Sequence, residues 1–283
     1  MKSILMLSHF HNDYPFNFES SWMQVSHAGD VNFQNPQFEQ YSINTSLAED
    51  RIQKYQKYYP NVSEKDFLKA MGQQATEYWL WKNCDADFIG CTTYRRYLLI
   101  EGVESEDEDT AKIVYPTDPN HINFLSSDIH KEKALDILDS YDIITNVRSI
   151  IPWSVERQYL ASEPQEYWDL FIEGILELFP EYKKSIDWFQ GNHVNYETTY
   201  IMRKEYFRKY ASEYFAIMEY IWQKTDNTYP THDYLVQNNK TLGWYHHQGS
   251  PWRYPGFLGE RFFPFFVAAN EMKAHYVPLV LFT

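Results

Sequence analysis

The sequence predicts an α/β fold, a single domain over residues 1–283 with a mostly parallel central sheet flanked by helices. Two observations carry that expectation. Short strand-like apolar segments alternate with longer stretches whose apolar residues recur at helical spacing. The composition is that of an ordinary globular chain: of 283 residues, 44% are hydrophobic and 23% charged, so a large core is within reach.

The elements follow in order. Residues 3–8 read as a first strand, ending in the polar run Ser8-His9-Phe10-His11-Asn12-Asp13. A helix is expected from Ser63, with Asp66 three residues on as a near capping box and Phe67, Met71, Ala75 and Tyr78 on one face. Residues 88–92 form a short buried strand, and the acidic run 104–109 reads as a solvated loop. Residues 141–145 give another strand. One amphipathic helix carries Trp168, Phe171, Ile172, Ile175 and Phe179 and stops at Pro180. After a strand-like stretch at 198–202, a second helix carries Phe207, Tyr210, Tyr214, Met218 and Ile221. Residues 226–256 are rich in Asn, Gly, Pro, His and Tyr without periodicity, which reads as a functional loop. A last helix is expected near Gly259 and a closing strand at 277–282.

Charge narrows the function classes. With 25 basic and 39 acidic side chains the formal net charge is −14, which excludes default non-specific nucleic-acid binding and purely electrostatic docking on anionic lipid. No apolar run approaches the roughly 20 residues that span a bilayer, and residues 4–7 are too short for a signal-peptide core. Two cysteines, Cys84 and Cys91, provide no disulfide framework and read as inert buried thiols; a reducing cytoplasm is the expected compartment. Aromatic residues reach 18%, most of them expected in the core.

The most informative block runs Tyr78-Trp79-Leu80-Trp81-Lys82-Asn83, Asp87-Phe88-Ile89-Gly90, then Thr93-Tyr94-Arg95-Arg96-Tyr97. A helix leads into a buried strand, and two arginines stand just past its carboxyl end, where open α/β sheets bind ligands. Guanidinium forks there suit phosphate oxygens; the alternative is one outward Arg and one paired with a structural carboxylate. In this block the chain resembles a family of bacterial capsular and exopolysaccharide glycosyltransferases whose domain is related to the GT-A, Rossmann-related fold. Residues 61–65 resemble the family's Asn-Ile-Ser-x-Lys, and residues 200–207 its Phe-Ile-Met-x-Lys-x-x-Phe. Arg253 with residues 256–261 resembles the closing Arg-x-x-Gly-(aromatic)-Leu-x-Glu-Arg, which includes Glu260 and Arg261. The chain departs from the family at three places: Thr93 stands where His precedes Tyr-Arg-Arg, Gln73-Gln74-Ala75 where a helix opens with Glu-Leu-Thr, and Thr198 where Asn precedes the Phe-Ile-Met segment.

The resemblance implies a glycosyltransferase, hexosyltransferase in type, that takes a sugar from a nucleotide-sugar donor, UDP-linked by expectation, to a growing surface glycan. The acceptor would be a glycan or lipid-linked oligosaccharide, met with at most peripheral contact at the inner membrane face. GT-A enzymes ordinarily hold a divalent metal with Asp-x-Asp at a strand's carboxyl end. Here Asp85-Ala86-Asp87 precedes its strand, so the expectation is no metal-ligand set and no required cofactor, with Arg95 and Arg96 on the diphosphate. Mn²⁺ or Mg²⁺ stays open through a displaced Asp85-Ala86-Asp87. His9, Thr93, Tyr94, Arg253 and Arg261 complete the donor side. Glu260, read as opening a helix after a Gly-rich turn, is the candidate base, with pairing to Arg261 or Arg253 as the alternative and Asp233 in reserve. Trp244, Tyr245, His246, His247, Trp252 and Tyr254 form the candidate acceptor platform, with plain anchoring of the loop as the alternative. The competing class is a catalytically inactive GT-A-like protein that binds carbohydrate or a partner.

Overall fold

The computed structural model describes residues 2–10, 20–27, 73–93, 95–100, 113–114, 121–161, 163–195, 198–225 and 254–282. The first part of the helix expected from Ser63, the acidic run at 104–109 and nearly all of the 226–256 segment lie outside them; the later part of that helix, which takes in residues 75 and 78, is helical as expected.

A six-stranded sheet organises the molecule, in the order β10-β6-β9-β3-β1-β2. Its strands are β1 (Ile4–Phe10), β2 (Met23–His27), β3 (Phe88–Thr93), β6 (Ile143–Asn146), β9 (Tyr200–Arg203) and β10 (Ala274–Val277). β1 pairs parallel with β2 and β3, and β10 parallel with β6. β9 runs antiparallel between β3 and β6, with Gly90 opposite Ile201 and Ile144 opposite Ile201 on the other side. The sheet is therefore mixed, with five strands in one direction, as the expectation of a mostly parallel sheet requires. At Gly90 a Cβ would lie 2.9 Å from the Tyr200 carbonyl, so this position has no room for a side chain.

Two small sheets flank the main one. β4 (Arg96–Leu98), β11 (Leu279–Leu281) and β5 (Ile113–Val114) form one, and β7 (Ser149–Ile150) with β8 (His193–Val194) the other. The closing stretch read as one strand is thus two strands in two sheets, broken at Pro278, which lacks a ladder N–H and whose carbonyl accepts from Leu99 N at 2.9 Å.

Helices cover both faces. α1 (Gln73–Asn83), α5 (Gln165–Leu178), α6 (Lys204–Lys224) and α7 (Tyr254–Ala269) pack an aromatic-rich core on one face, including Trp168, Phe171, Phe189, Tyr210, Tyr214, Phe262 and Phe265. α2 (His121–Leu125) and α3 (Asp128–Leu138) belong with β4 and β11 to a smaller core on the other, around Trp22, Tyr97, Leu138 and Ile201. α4 (Val155–Leu160) is capped by Ser154, whose Oγ accepts from Arg157 N, and α3 in the same way by Ser127. α7 begins at Tyr254 rather than near Gly259. Pro255 is tolerated in its first turn, and Gly259 serves packing: a Cβ there would lie 2.5 Å from Gln74 Nε2 of α1.

Candidate active site at the carboxyl edge of the sheet

β1, β3 and β6 all end at one edge of the sheet, and β9 begins there. That edge is polar. Thr92 is fully buried; its Oγ1 donates to the Arg96 carbonyl and lies 3.2 Å from Thr199 Oγ1. Thr145 Oγ1 donates to the Thr199 carbonyl at 2.9 Å. Asn195 Nδ2 donates to the Asn146 carbonyl at 2.8 Å. Asn146 Oδ1 and Thr198 Oγ1 are buried there without a hydrogen-bond partner among the described residues. Thr198 also has φ 37°, a left-handed conformation that crowds a β-branched side chain.

The arginine pair sits at this edge. Thr93 closes β3 opposite His9 of β1, Arg95 is exposed, and Arg96 opens β4 half-buried with its guanidinium donating to Thr93 Oγ1 at 3.3 Å. The Arg95 carbonyl accepts from Phe282 N, which fixes the turn between β3 and β4 against β11. Thr93, Arg95 and Arg96 are therefore brought together, with the backbone of His9 beside them. Tyr94, Arg253, Asp233, Trp244, Tyr245, His246, His247 and Trp252 lie outside the described residues.

Asp85 and Asp87 lie at the opposite edge and are occupied. Lys204 Nζ and Arg208 reach Asp85 at 3.1 and 2.9 Å, and Asp87 accepts from Ser3 N and Ser3 Oγ at 2.7 and 2.9 Å. The Lys204 contact holds the Asp85 carboxyl below the usual carboxylate range, and the Ser3 hydrogen bonds do the same for Asp87. This acid pair does not fit a metal that bridges a diphosphate at the carboxyl edge. Among the described residues no three His, Cys, Asp or Glu side chains converge as a metal site.

Glu260 falls in the second turn of α7, beyond the exposed N–H groups of the helix start, so the helix-dipole argument for it does not hold. Its carboxylate is half-buried and lies 3.6 Å from Arg261 Nη1. Pro264 has no N–H for the Glu260 carbonyl, which interrupts the helix ladder at that residue. Arg261 is buried: its guanidinium donates to the Phe257 carbonyl at 2.6 Å and to Gln158 Oε1, and it stacks on Tyr159 at 5.2 Å. Tyr254 is fully buried, with its ring centroid 4.2 Å from that of Tyr167. α7 reaches the edge through α1, since Gly259 abuts Gln74 and the neighbouring Gln73 Nε2 donates to the Thr198 carbonyl at 2.6 Å.

One residue went unread in the sequence. Glu77 is fully buried in α1 and accepts hydrogen bonds from Tyr200 Oη at 2.8 Å, Gln73 Nε2 at 3.1 Å and Tyr210 Oη at 3.3 Å. Burial raises its carboxyl from the ordinary 4.5 to about 7 against the pull of those donors. Enclosed as it is, Glu77 acts by position: it orients Gln73, which holds the strained backbone at Thr198. The signal was the spacing of Gln73, Glu77, Leu80 and Cys84, a single helical stripe.

The Tyr-Trp-x-Trp-Lys-Asn segment turns out to be packing. Trp79 and Tyr78 are buried, Trp81 stacks on Phe215, Lys82 Nζ sits 3.1 Å from the Trp81 centroid, and Asn83 Nδ2 donates to the Trp79 carbonyl at the helix end. Burial pushes the Cys84 thiol up to about 11 and Cys91 well above its usual range, so both are unreactive at neutral pH.

Comparison with known proteins agrees with the fold. The apo structure of the bifunctional glycosyltransferase WbbM superposes with a TM-score of 0.60 at 19% identity, covering 100% of this chain and 46% of that one. The chain thus spans about half of that protein's length, and the likeness is one of fold. No curated protein matches the sequence. Residues 60–271, about three quarters of the chain, match a family described as Domain of unknown function (DUF4422), and the chain belongs to that family.

Proposed function

We propose that the protein is a glycosyltransferase that moves a sugar from a UDP-linked donor to a growing capsular, exopolysaccharide or other surface glycan, free or lipid-linked. The observation that carries this reading is the Arg95–Arg96 pair beside Thr93 at the carboxyl edge of a glycosyltransferase-like sheet, while the acidic pair is tied off at the other edge. Two fixed cations there take the part usually given to a metal, neutralising the diphosphate as it leaves. His9, Tyr94 and Arg253 complete the donor side.

The reaction is a single displacement with inversion. The acceptor hydroxyl oxygen attacks the anomeric carbon, the bond from that carbon to the diphosphate oxygen breaks, and UDP departs with the electron pair. Glu260 takes the hydroxyl proton once its weak contact with Arg261 opens; Asp233 is the reserve base. Trp244, Tyr245, His246, His247 and Trp252 cover the acceptor. Contact with a bilayer is peripheral, since no helix among the described residues is long and apolar enough to cross one.

Thermal-shift binding of UDP, GDP and their sugar conjugates, with Mn²⁺ and again with chelator, tests this. UDP stabilisation that survives chelation is the expected result. Stabilisation lost on chelation removes the arginine substitution for the metal, and a flat response to every nucleotide removes the transferase. The Glu260–Arg261 contact favours a second reading, a carbohydrate-binding protein that keeps the fold without catalysis. Donor hydrolysis without acceptor separates the two, since a transferase releases free sugar slowly and a pure binder does not.

A further inference from the structure

A cavity of about 260 Å³ lies where β6 and edge strand β10 meet the second half of α7. Its polar wall is Thr145, Asn195, Arg148 and Glu271; Phe263 and Met272 stand on the apolar side. Thr145 and Asn195 belong to the polar carboxyl edge, so the cavity reaches that edge two strand spacings, about 10 Å, from the arginine-bearing end of β3.

The end of α7 gives an independent sign that this wall is built for something. Met272 N donates to the Val267 carbonyl and Glu271 N to the Ala268 carbonyl, both at 3.1 Å, which is the Schellman closure of a helix. That closure places residue 271 in the left-handed region, with φ 50°, where glycine is the ordinary occupant. A glutamate held there is strained, and it lines the cavity. Arg148, which also lines the cavity, is held over the Tyr276 ring at 5.3 Å.

The lining selects a chemistry. The volume falls below the roughly 300 Å³ at which drug-sized pockets begin, too small for a nucleotide sugar and suited to one pyranose ring. One wall offers donors and acceptors together, one positive and one negative charge among them, which suits neutral hydroxyl groups rather than an anion. The other offers carbon to the apolar C–H face of a ring. We infer that this cavity seats the neutral terminal sugar of the acceptor, with Glu271 and Asn195 on its hydroxyls. The inference rests on the transferase reading for the word acceptor, but not for the sugar.

Saturation-transfer NMR with methyl glycosides of glucose, galactose and N-acetylglucosamine tests it on the intact chain, alongside the UDP-induced thermal shift. Two variants serve. Glu271→Gly relieves the left-handed strain, and Ala268→Trp plugs the rim from an exposed position. Saturation of at least one glycoside by the unaltered chain, reduced tenfold or more in both variants while the UDP shift persists, is expected. Glu271→Gly should also melt higher than the unaltered chain, which a merely structural glutamate whose loss harms the fold would not produce. Absence of saturation with every glycoside, or saturation undiminished in both variants, overturns the assignment. Glycoside saturation without any UDP shift keeps the sugar site and overturns the transferase reading.

Discussion

The two edges of the central sheet are built on opposite principles. At the amino edge the charged groups are paired: Asp85 with Lys204 and Arg208, Asp142 with Arg203, Lys2 with Asp139, and Asp87 with the Ser3 backbone and hydroxyl. At the carboxyl edge the chain carries a strained threonine, two buried oxygens without a partner among the described residues, a buried carboxyl raised to about 7, and an arginine pair of which Arg96 donates to Thr93. Stability is collected at one edge and given up at the other. The proposed function puts the chemistry at the edge where stability is given up, and it rests on that asymmetry more than on any single residue.

The largest effect expected from breaking the contrast is on donor binding. Charge-assisted hydrogen bonds contribute roughly 2 kcal/mol each, so Arg95→Ala with Arg96→Ala should weaken UDP binding about a thousandfold by calorimetry, with the melting temperature nearly unchanged. The mirror variant, Asp85→Asn with Asp87→Asn, should leave UDP affinity within about twofold. Equal losses from the two pairs would erase the distinction between the edges.

Next in size is Glu77. A carboxyl raised by burial gives stability that is complete below its unfolded value, 4.5, and is lost as pH rises through its folded value, about 7. By that shift the native protein should lose about 3 kcal/mol between pH 4.5 and 8, and Glu77→Gln should flatten the loss. Denaturant titrations at pH 5 and pH 8 read the difference directly. The same carboxyl explains the amide at position 73. A glutamate there, as the family pattern has it, would set a second carboxylate one helical turn away in the core. Gln73→Glu alone should cost about 3 kcal/mol, and Glu77→Gln in the same chain should recover most of it.

How much of this was legible beforehand follows from what kind of signal each feature sends. β3, β6, β9, α5 and α6 have strong periods and clear stops, Pro180 among them, and lie within a few residues of where the sequence puts them. α2 and α4 are five and six residues long, too short to show a period, and were not anticipated. Gly256 and Gly259 read as a turn because glycine usually punctuates; Gly259 instead makes room for Gln74 between two helices. The arginine pair was legible because adjacent cations after a buried strand are conspicuous. Glu77 was not, because a carboxylate among aromatics reads as an exposed face until its partners, Tyr200 and Tyr210, arrive from more than 120 residues away.

A smaller effect sharpens the comparison at Thr198. Threonine at φ 37° is strained, whereas asparagine visits that region readily, and asparagine is the residue the family pattern carries there. Thr198→Asn should therefore stabilise the fold by about 1 kcal/mol, seen as a rise of a few degrees in melting temperature. A loss of stability would mean that the threonine hydroxyl, orphaned among the described residues, has a partner that matters more than the strain.

The smallest effect carries the opposite sign to that of Glu77 and so tests the two edges against each other. Asp85 and Asp87 are held below the usual carboxylate range, so what they contribute is present above about 3.8 and is lost as pH falls further. Both are exposed, and solvent screens them, so Asp87→Asn should cost less than about 1 kcal/mol at neutral pH, and that cost should shrink as pH falls below 3.8. Its signature is therefore the pH at which the cost disappears rather than its size. Across pH 3 to 8 both variants should depart from the native melting curve as pH rises, Asp87→Asn lying below it on the neutral side of 3.8 and Glu77→Gln rising above it toward pH 8. Asp87→Asn lying on or above the native curve at neutral pH would mean that the amino edge is not the closed, stabilising edge its ion pairs describe.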